Sequence, residues 1–150
     1  MNVNIKIDQS DLSKLKRKLD NLRTFESKKL SNELGRTGFD IVKLAKKSAK
    51  VGKVHGGTLR QSIGLQKSGK SITVFANAHY APYVEFGTGG MVDLDDMKKL
   101  GIPESYAQQF KGKGLRDVNL PARPFFFSSA RVGFKNLLNR LNGEIKKAIK

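Results

Sequence analysis

Apolar and polar positions alternate through residues 1–7, with Val3, Ile5 and Ile7 set against Asn4 and Lys6, which predicts a short strand. Asp8 or Ser10 then supplies a helix cap. Leu12, Leu15, Leu19 and Leu22 recur at intervals of three and four among Lys14, Lys16, Arg17 and Lys18. That spacing predicts an amphipathic helix with a basic outer face. Thr24 and Phe25 interrupt the pattern. A second helix with Leu30, Leu34, Ile41, Leu44 and Ala45 as its apolar stripe is expected to end near Lys50, ahead of the glycine-rich turn at 51–57. Gly35 and Gly38 each weaken that helix by about 1 kcal/mol, or serve a close approach by another backbone.

The period then shortens to two. Leu59, Ile63 and Leu65 share one parity, and Ile72, Val74, Ala76 and Ala78 share another, with KSGK between them. Together they predict a β-hairpin. Pro82 suits the first turn of a short helix and Gly87 its stop, so YAPYVEFG reads as one or two helical turns. Residues 89–119 form an excursion rich in glycine. It carries an acidic cluster, Asp93, Asp95 and Asp96, that suits the start of a helix at 94–100, and a second short helix is expected at 104–110. PARPFFF returns as an extended, core-bound strand, because a residue before proline avoids the helical region. Ser128 or Ser129 is expected to cap a final helix. Its stripe is Phe134, Leu138, Leu141, Ile145 and Ala148 or Ile149, with Arg131, Lys135, Arg140, Lys146 and Lys147 largely off it.

These elements describe an α+β chain: an antiparallel sheet packed against one or two long N-terminal helices and a C-terminal helix. At 150 residues the chain suits one domain over 1–150, with the excursion at about 89–119. No run of 18 apolar residues is present, so no transmembrane helix is expected. The N-terminus lacks an apolar signal core. Cysteine is absent, which excludes a disulfide scaffold, a thiol nucleophile and a cysteine-based zinc site.

Charge changes the picture more than composition does. The net charge is +16, distributed as +7, +2 and +7 over successive thirds, so the excess sits at the two ends. Such a chain is drawn to polyanions: nucleic acid, an acidic protein surface or anionic lipid. The ends carry no zinc finger, RNA-recognition signature or helix-turn-helix, so any DNA contact is to phosphates, without sequence preference.

Candidate chemistry is sparse. Gly64 to Ser71, GLQKSGKS, fits the phosphate-loop pattern. A phosphate loop needs a helix after it, whereas SITVFANA alternates as a strand, so the hairpin turn is the better reading. His55 and His79 with Glu85 make neither a metal site nor a catalytic triad. Neither a cofactor nor a catalytic residue is expected. Glu85 stands out as an acid among Tyr83, Val84 and Phe86. A partly buried carboxylate needs a cation or several N–H donors. Arg60 and Arg123 are the candidate cations, in a salt bridge within the chain or between subunits. In the Phe125–Phe127 run, alternation buries Phe125 and Phe127 and turns Phe126 elsewhere, towards a protein contact if it is exposed.

TLRQSI at Thr58–Ile63, YAPYVEFGTG at Tyr80–Gly89 and PARPFFFSSA at Pro121–Ala130 occur in an order and spacing that resemble the gene-ten-like head–tail joining and tail-completion proteins of long-tailed bacteriophages. The local order GGTLR, the long excursion and the very basic first helix depart from that pattern. The resemblance implies a non-enzymatic virion component with a fold similar to tail-terminator proteins. It would act at the head–tail junction as a ring of copies matching the tail's sixfold symmetry, after a period in the host cytoplasm during assembly. Its partners would be itself, tail-tube, tail-terminator or head-connector proteins, and packaged DNA through non-specific contacts, with no membrane. Arg60, Tyr80, Tyr83, Glu85, Phe86, Gly87, Arg123 and Phe126 would be its motif and interface positions. A sequence-independent nucleic-acid-binding accessory protein is the alternative.

Overall fold

The structure, a computed structural model, describes residues 8–49, 57–111 and 119–149. The expected strand at 1–7 and the glycine-rich turn at 51–56 lie outside these residues. Helix α1 spans Gln9–Thr24 and α2 spans Leu30–Ser48. The Asp8 carboxylate caps α1 by accepting the Ser10 N–H at 3.0 Å. Thr24 and Phe25, expected to interrupt the pattern between two helices, do not end the helix. Phe25–Lys29 forms a wide π turn, closed by the Leu30 N–H donating to the Phe25 carbonyl, so the helix runs on from Gln9 to Ser48. The wide turn resets the helical phase between the two halves.

Helix α3, Thr58–Ser62, replaces the front of the expected first strand and carries Leu59 into the core from a helix. Strands β1 (Ile63–Ser68) and β2 (Ser71–Ala76) then pair antiparallel, from Ile63 opposite Ala76 to Ser68 opposite Ser71. The two-residue turn between them has Gly69 at φ 56°. The residues matching the phosphate-loop pattern are therefore a hairpin, followed by a strand.

Helix α4 covers Ala81–Phe86, with Pro82 in its first turn and Gly87 at its stop. The excursion is folded through residue 111, as a 3₁₀ turn at Gly89–Met91, α5 (Leu94–Lys99) and α6 (Glu104–Lys111). Asp93 caps α5 by accepting the Asp96 N–H at 3.0 Å. Residues 119–125 form no strand and, against expectation, are not core-bound: 119–124 are exposed, only Phe125 is buried, and the backbone partners of the segment lie on and just after α4. Helix α7 closes the fold over Phe127–Ile149.

Two apolar clusters hold these parts together. The main core joins Ala45, Ala49, Leu59, Ile63, Ala81 and Phe125. A smaller one, inside the excursion, joins Val92, Met97, Ala107 and Phe110, and Phe86 packs against it. Helices α2 and α7 run antiparallel. Gly133 faces Ile41, while Arg140 meets Glu33 and donates from Nη2 to Thr37 Oγ1 at 2.7 Å. At Gly38 it is a side chain of β2, not another backbone, that comes close: a Cβ would lie 2.6 Å from Ile72 Cγ2. Gly35 faces open space.

The terminal helix differs from its sequence pattern. It buries Ser129, Gly133 and Leu137 against α2, while Phe134, Leu138, Ile145 and Ile149 are exposed. Small residues let the two backbones approach, so the narrow face packs and the large apolar face is left outside. No helix among the described residues is long and apolar enough to cross a membrane.

Candidate functional site

The three marked sequence strings meet at one place. Leu59 and Ile63 come from the first, Ala81 with Tyr80 and Val84 from the second, and Phe125 with Phe126 from the third, all in the main core. Glu85 is the polar centre of this junction and is 4% exposed. Its Oε2 accepts the Phe125 N–H at 2.7 Å and the Phe126 N–H at 2.9 Å, and its Oε1 accepts the Phe127 N–H at 3.0 Å.

These are N–H groups at and just before the start of α7, which the helix cannot satisfy from within. A carboxylate there also meets the positive end of the helix dipole. Glu85 is thus the cap of α7, delivered from α4 across 40 residues or more of sequence. Ser128 and Ser129, the expected caps, instead donate their hydroxyls back to the Pro124 and Phe125 carbonyls, at 3.4 and 2.6 Å.

Of the two needs foreseen for a buried Glu85, the N–H donors meet it. Arg60 is engaged elsewhere: its Nη2 donates to the Ala49 carbonyl at 3.0 Å, closing the C-terminal end of α2. A cation at that end also suits the helix dipole. Arg123 is exposed, and its backbone N–H donates to the Val84 carbonyl at 2.8 Å.

Gly87 lets the third string lie beside the second. Its φ is 77°, and an added Cβ would stand 2.5 Å from the Leu120 carbonyl oxygen and 2.8 Å from the Ala122 nitrogen. Immediately after it, the Thr88 N–H donates to the Leu120 carbonyl at 2.9 Å, and the Leu120 N–H donates to Thr88 Oγ1 at 3.0 Å. Asn119, which the sequence did not single out, accepts the Gly90 N–H at 3.0 Å.

The aromatic residues divide by exposure. Tyr80 is half-buried and stands edge-on to His79. Phe86 links the junction to the excursion, with ring centroids 5.5 Å from Phe110 and 5.7 Å from Phe127. Tyr83 is 44% exposed and stands edge-on to Phe110 at 5.2 Å. Phe125 is buried as alternation expected, but Phe126 and Phe127 are both half-buried, because the chain is turning into a helix there. Beside them, a groove of about 530 Å³ opens between β2, α4 and the α5–α6 turn, with Val74, Phe86, Ile102, Tyr106 and Phe126 among its walls.

A buried carboxylate whose oxygens accept three main-chain N–H groups, inside a packed apolar junction, positions structure. Family comparison agrees with that geometry. The family model described as "Bacteriophage HK97-gp10, putative tail-component" matches residues 13–87, half of the chain. The chain belongs to this HK97-gp10-like family of phage tail components. It is a structural component and not an enzyme. The match runs from α1 through Gly87 and so includes Arg60, Tyr80, Tyr83, Glu85 and Phe86. The excursion and the PARPFFF string lie beyond it, and the fold returns that string to Glu85. No curated protein and no solved structure matches the chain.

Proposed function

We propose that this HK97-gp10-like tail component completes the tail at its junction with the head, acting as a ring of copies that contacts tail-tube, terminator or connector proteins. One observation carries the reading. Leu12, Leu15 and Leu19 on α1 and Phe134, Leu138, Ile145 and Ile149 on α7 are exposed on two helices of a highly charged chain. Apolar surface of that extent marks contact with protein. The ring matches the tail's sixfold symmetry, and the basic ends face the passing DNA or an acidic connector. Glu85, Arg60 and Gly87 act indirectly, by holding the α4 junction in shape. Tyr83 and Arg123 lie on its exposed side and are contact positions in the neck.

Light scattering at low and high salt, alone and with a tail-tube or terminator protein, tests this reading. A ring, or a ring that needs the partner, is expected. A monomer that ignores tail proteins and shifts short duplex DNA would replace this reading with the accessory nucleic-acid binder, which the charge of +16 favours.

A further inference from the structure

The α7 C-terminus lies beside the end of α1, where Asn21 Nδ2 donates to the Ala148 carbonyl at 3.4 Å. Farther back, Lys29 pairs with Glu144 and Arg140 with Glu33, so α7 runs antiparallel along the π turn and α2. The first three turns of α1 therefore project past the end of α7 as an arm. No residue of α1 is buried, and Leu12, Leu15 and Leu19 are 52, 54 and 57% exposed. Their spacing of three and four is that of a helix anchored in an apolar groove.

The molecule also has such a groove, at its other end. It is walled by Val74, Phe86, Ile102, Tyr106 and Phe126, and adjoins Phe127, the first residue of α7. Helix α7 has 23 residues, so arm and groove are separated by about 35 Å. The arm is the start of an unbroken helix held along α7, so it cannot fold back onto its own groove. Charge does not draw the arm to the groove: the arm carries Lys14, Lys16, Arg17 and Lys18 beside Asp11, while α5 and α6 balance Asp95, Asp96 and Glu104 with Lys98, Lys99 and Lys111. The stripe of α7 makes a poorer receiver, since Arg131, Lys135, Lys146 and Lys147 crowd that helix.

We infer that the α1 arm of one copy docks its leucine stripe into the β2–α4–α6 groove of the next copy. A knob at one end and a hole at the other give a head-to-tail contact, which closes into a ring when the rotation per subunit permits. The inference rests on the proposed ring and names the contact that builds it.

The chain has no cysteine, so introduced pairs report cleanly. Leu15→Cys with Ile102→Cys, treated with a short bifunctional maleimide, is expected to give a ladder of multimers, and each single variant none beyond a dimer. Leu15→Asp is expected to weaken self-association at least about tenfold with Tm unchanged, since the site is exposed in the lone chain. Mixing Leu15→Asp with Ile102→Asp is expected to restore a dimer and no larger species, because one intact arm and one intact groove remain. Rings formed by Leu15→Asp as readily as by wild type would overturn the arm contact and leave the ring standing. Absence of the ladder from rings that do form has the same meaning. A wild-type chain that forms no multimer, alone or with tail proteins, overturns both readings. Loss of binding to anionic vesicles or duplex DNA in Leu15→Asp, with self-association intact, would assign the arm to those surfaces instead.

Discussion

Helices α1 and α2 are two halves of one helical run, and their leucine spacing is similar, yet they have opposite fates. Helix α2 buries Thr37, Gly38, Ile41 and Ala45 between the hairpin and α7, whereas α1 buries nothing. The difference lies in what stands opposite. Helix α7 ends beside Asn21, and the leucines before it stay more than half exposed. An amphipathic stripe records that a face is meant to be covered. It does not record whether the cover belongs to the same chain. The π turn at Phe25–Lys29 separates a half that is packed between the hairpin and α7 from a half with no buried residue.

That contrast breaks most sharply at the α4 junction. Glu85→Ala removes the acceptor of three N–H groups, and is expected to cost about 3–5 kcal/mol and lower Tm by about 10 °C in thermal melts. A loss below about 1 kcal/mol would mean that water or another side chain caps α7 equally well. Gly87→Val forces a branched side chain into a positive φ and against the Leu120–Ala122 backbone. Chemical denaturation should register a loss of about 2–4 kcal/mol.

Arg140→Met probes the buried half of the helical run. Arg140 ties α7 to Glu33, Thr37 and Asp40, and its removal leaves the Glu33 carboxylate without its cation. About 1–2 kcal/mol is expected, read from urea midpoints. On the unburied half, Leu12→Asp or Leu19→Asp should shift stability by less than about 0.5 kcal/mol. A larger destabilisation would show that the arm packs within its own chain.

The smallest effect sharpens the boundary between the halves. Hydrogen bonds from Lys147 and then Lys29 hold the Glu144 carboxyl below its usual 4.5, and the same contact raises the Lys147 ammonium above 10.5. A lowered carboxyl contributes stability above its unfolded value, which is lost as pH falls through the folded one. The raised ammonium contributes below its unfolded value, and that contribution is lost as pH rises through the folded one. The small Tm advantage of wild type over Glu144→Gln at neutral pH should therefore vanish in strong acid. An advantage that persists there would assign Glu144 a packing role.

Much of the fold was legible because its signals are local. The Asp8 and Asp93 caps, the hairpin with Gly69 in its turn, and α4 between Pro82 and Gly87 each follow from a few adjacent residues. The faults arose where the answer lay far along the chain. Leu59 shares the parity of a strand, but forms a helix that puts Arg60 at the end of α2. Ser128 and Ser129 have the composition of caps, yet the cap was Glu85, whose partners are backbone groups 40 to 42 residues away. Nothing in the identities of Phe125–Phe127 announces their N–H groups as its partners. The one available signal was a lone acid among Tyr83, Val84 and Phe86.

By itself the sequence determined the period of many elements, several local stops and caps, the excess of basic charge, and the strings TLRQSI and YAPYVEF that fall inside the HK97-gp10-like match. Only the tertiary structure decided which apolar faces are covered. It packed α7 through Ser129, Gly133 and Leu137 and left Phe134, Leu138 and Ile145 outside, because close approach of two helices rewards small residues at the contact. Periodicity is a property of one segment. Burial is a property of the pair that meets, and the meeting is set by chain reach, backbone approach and the donors and acceptors left at helix ends.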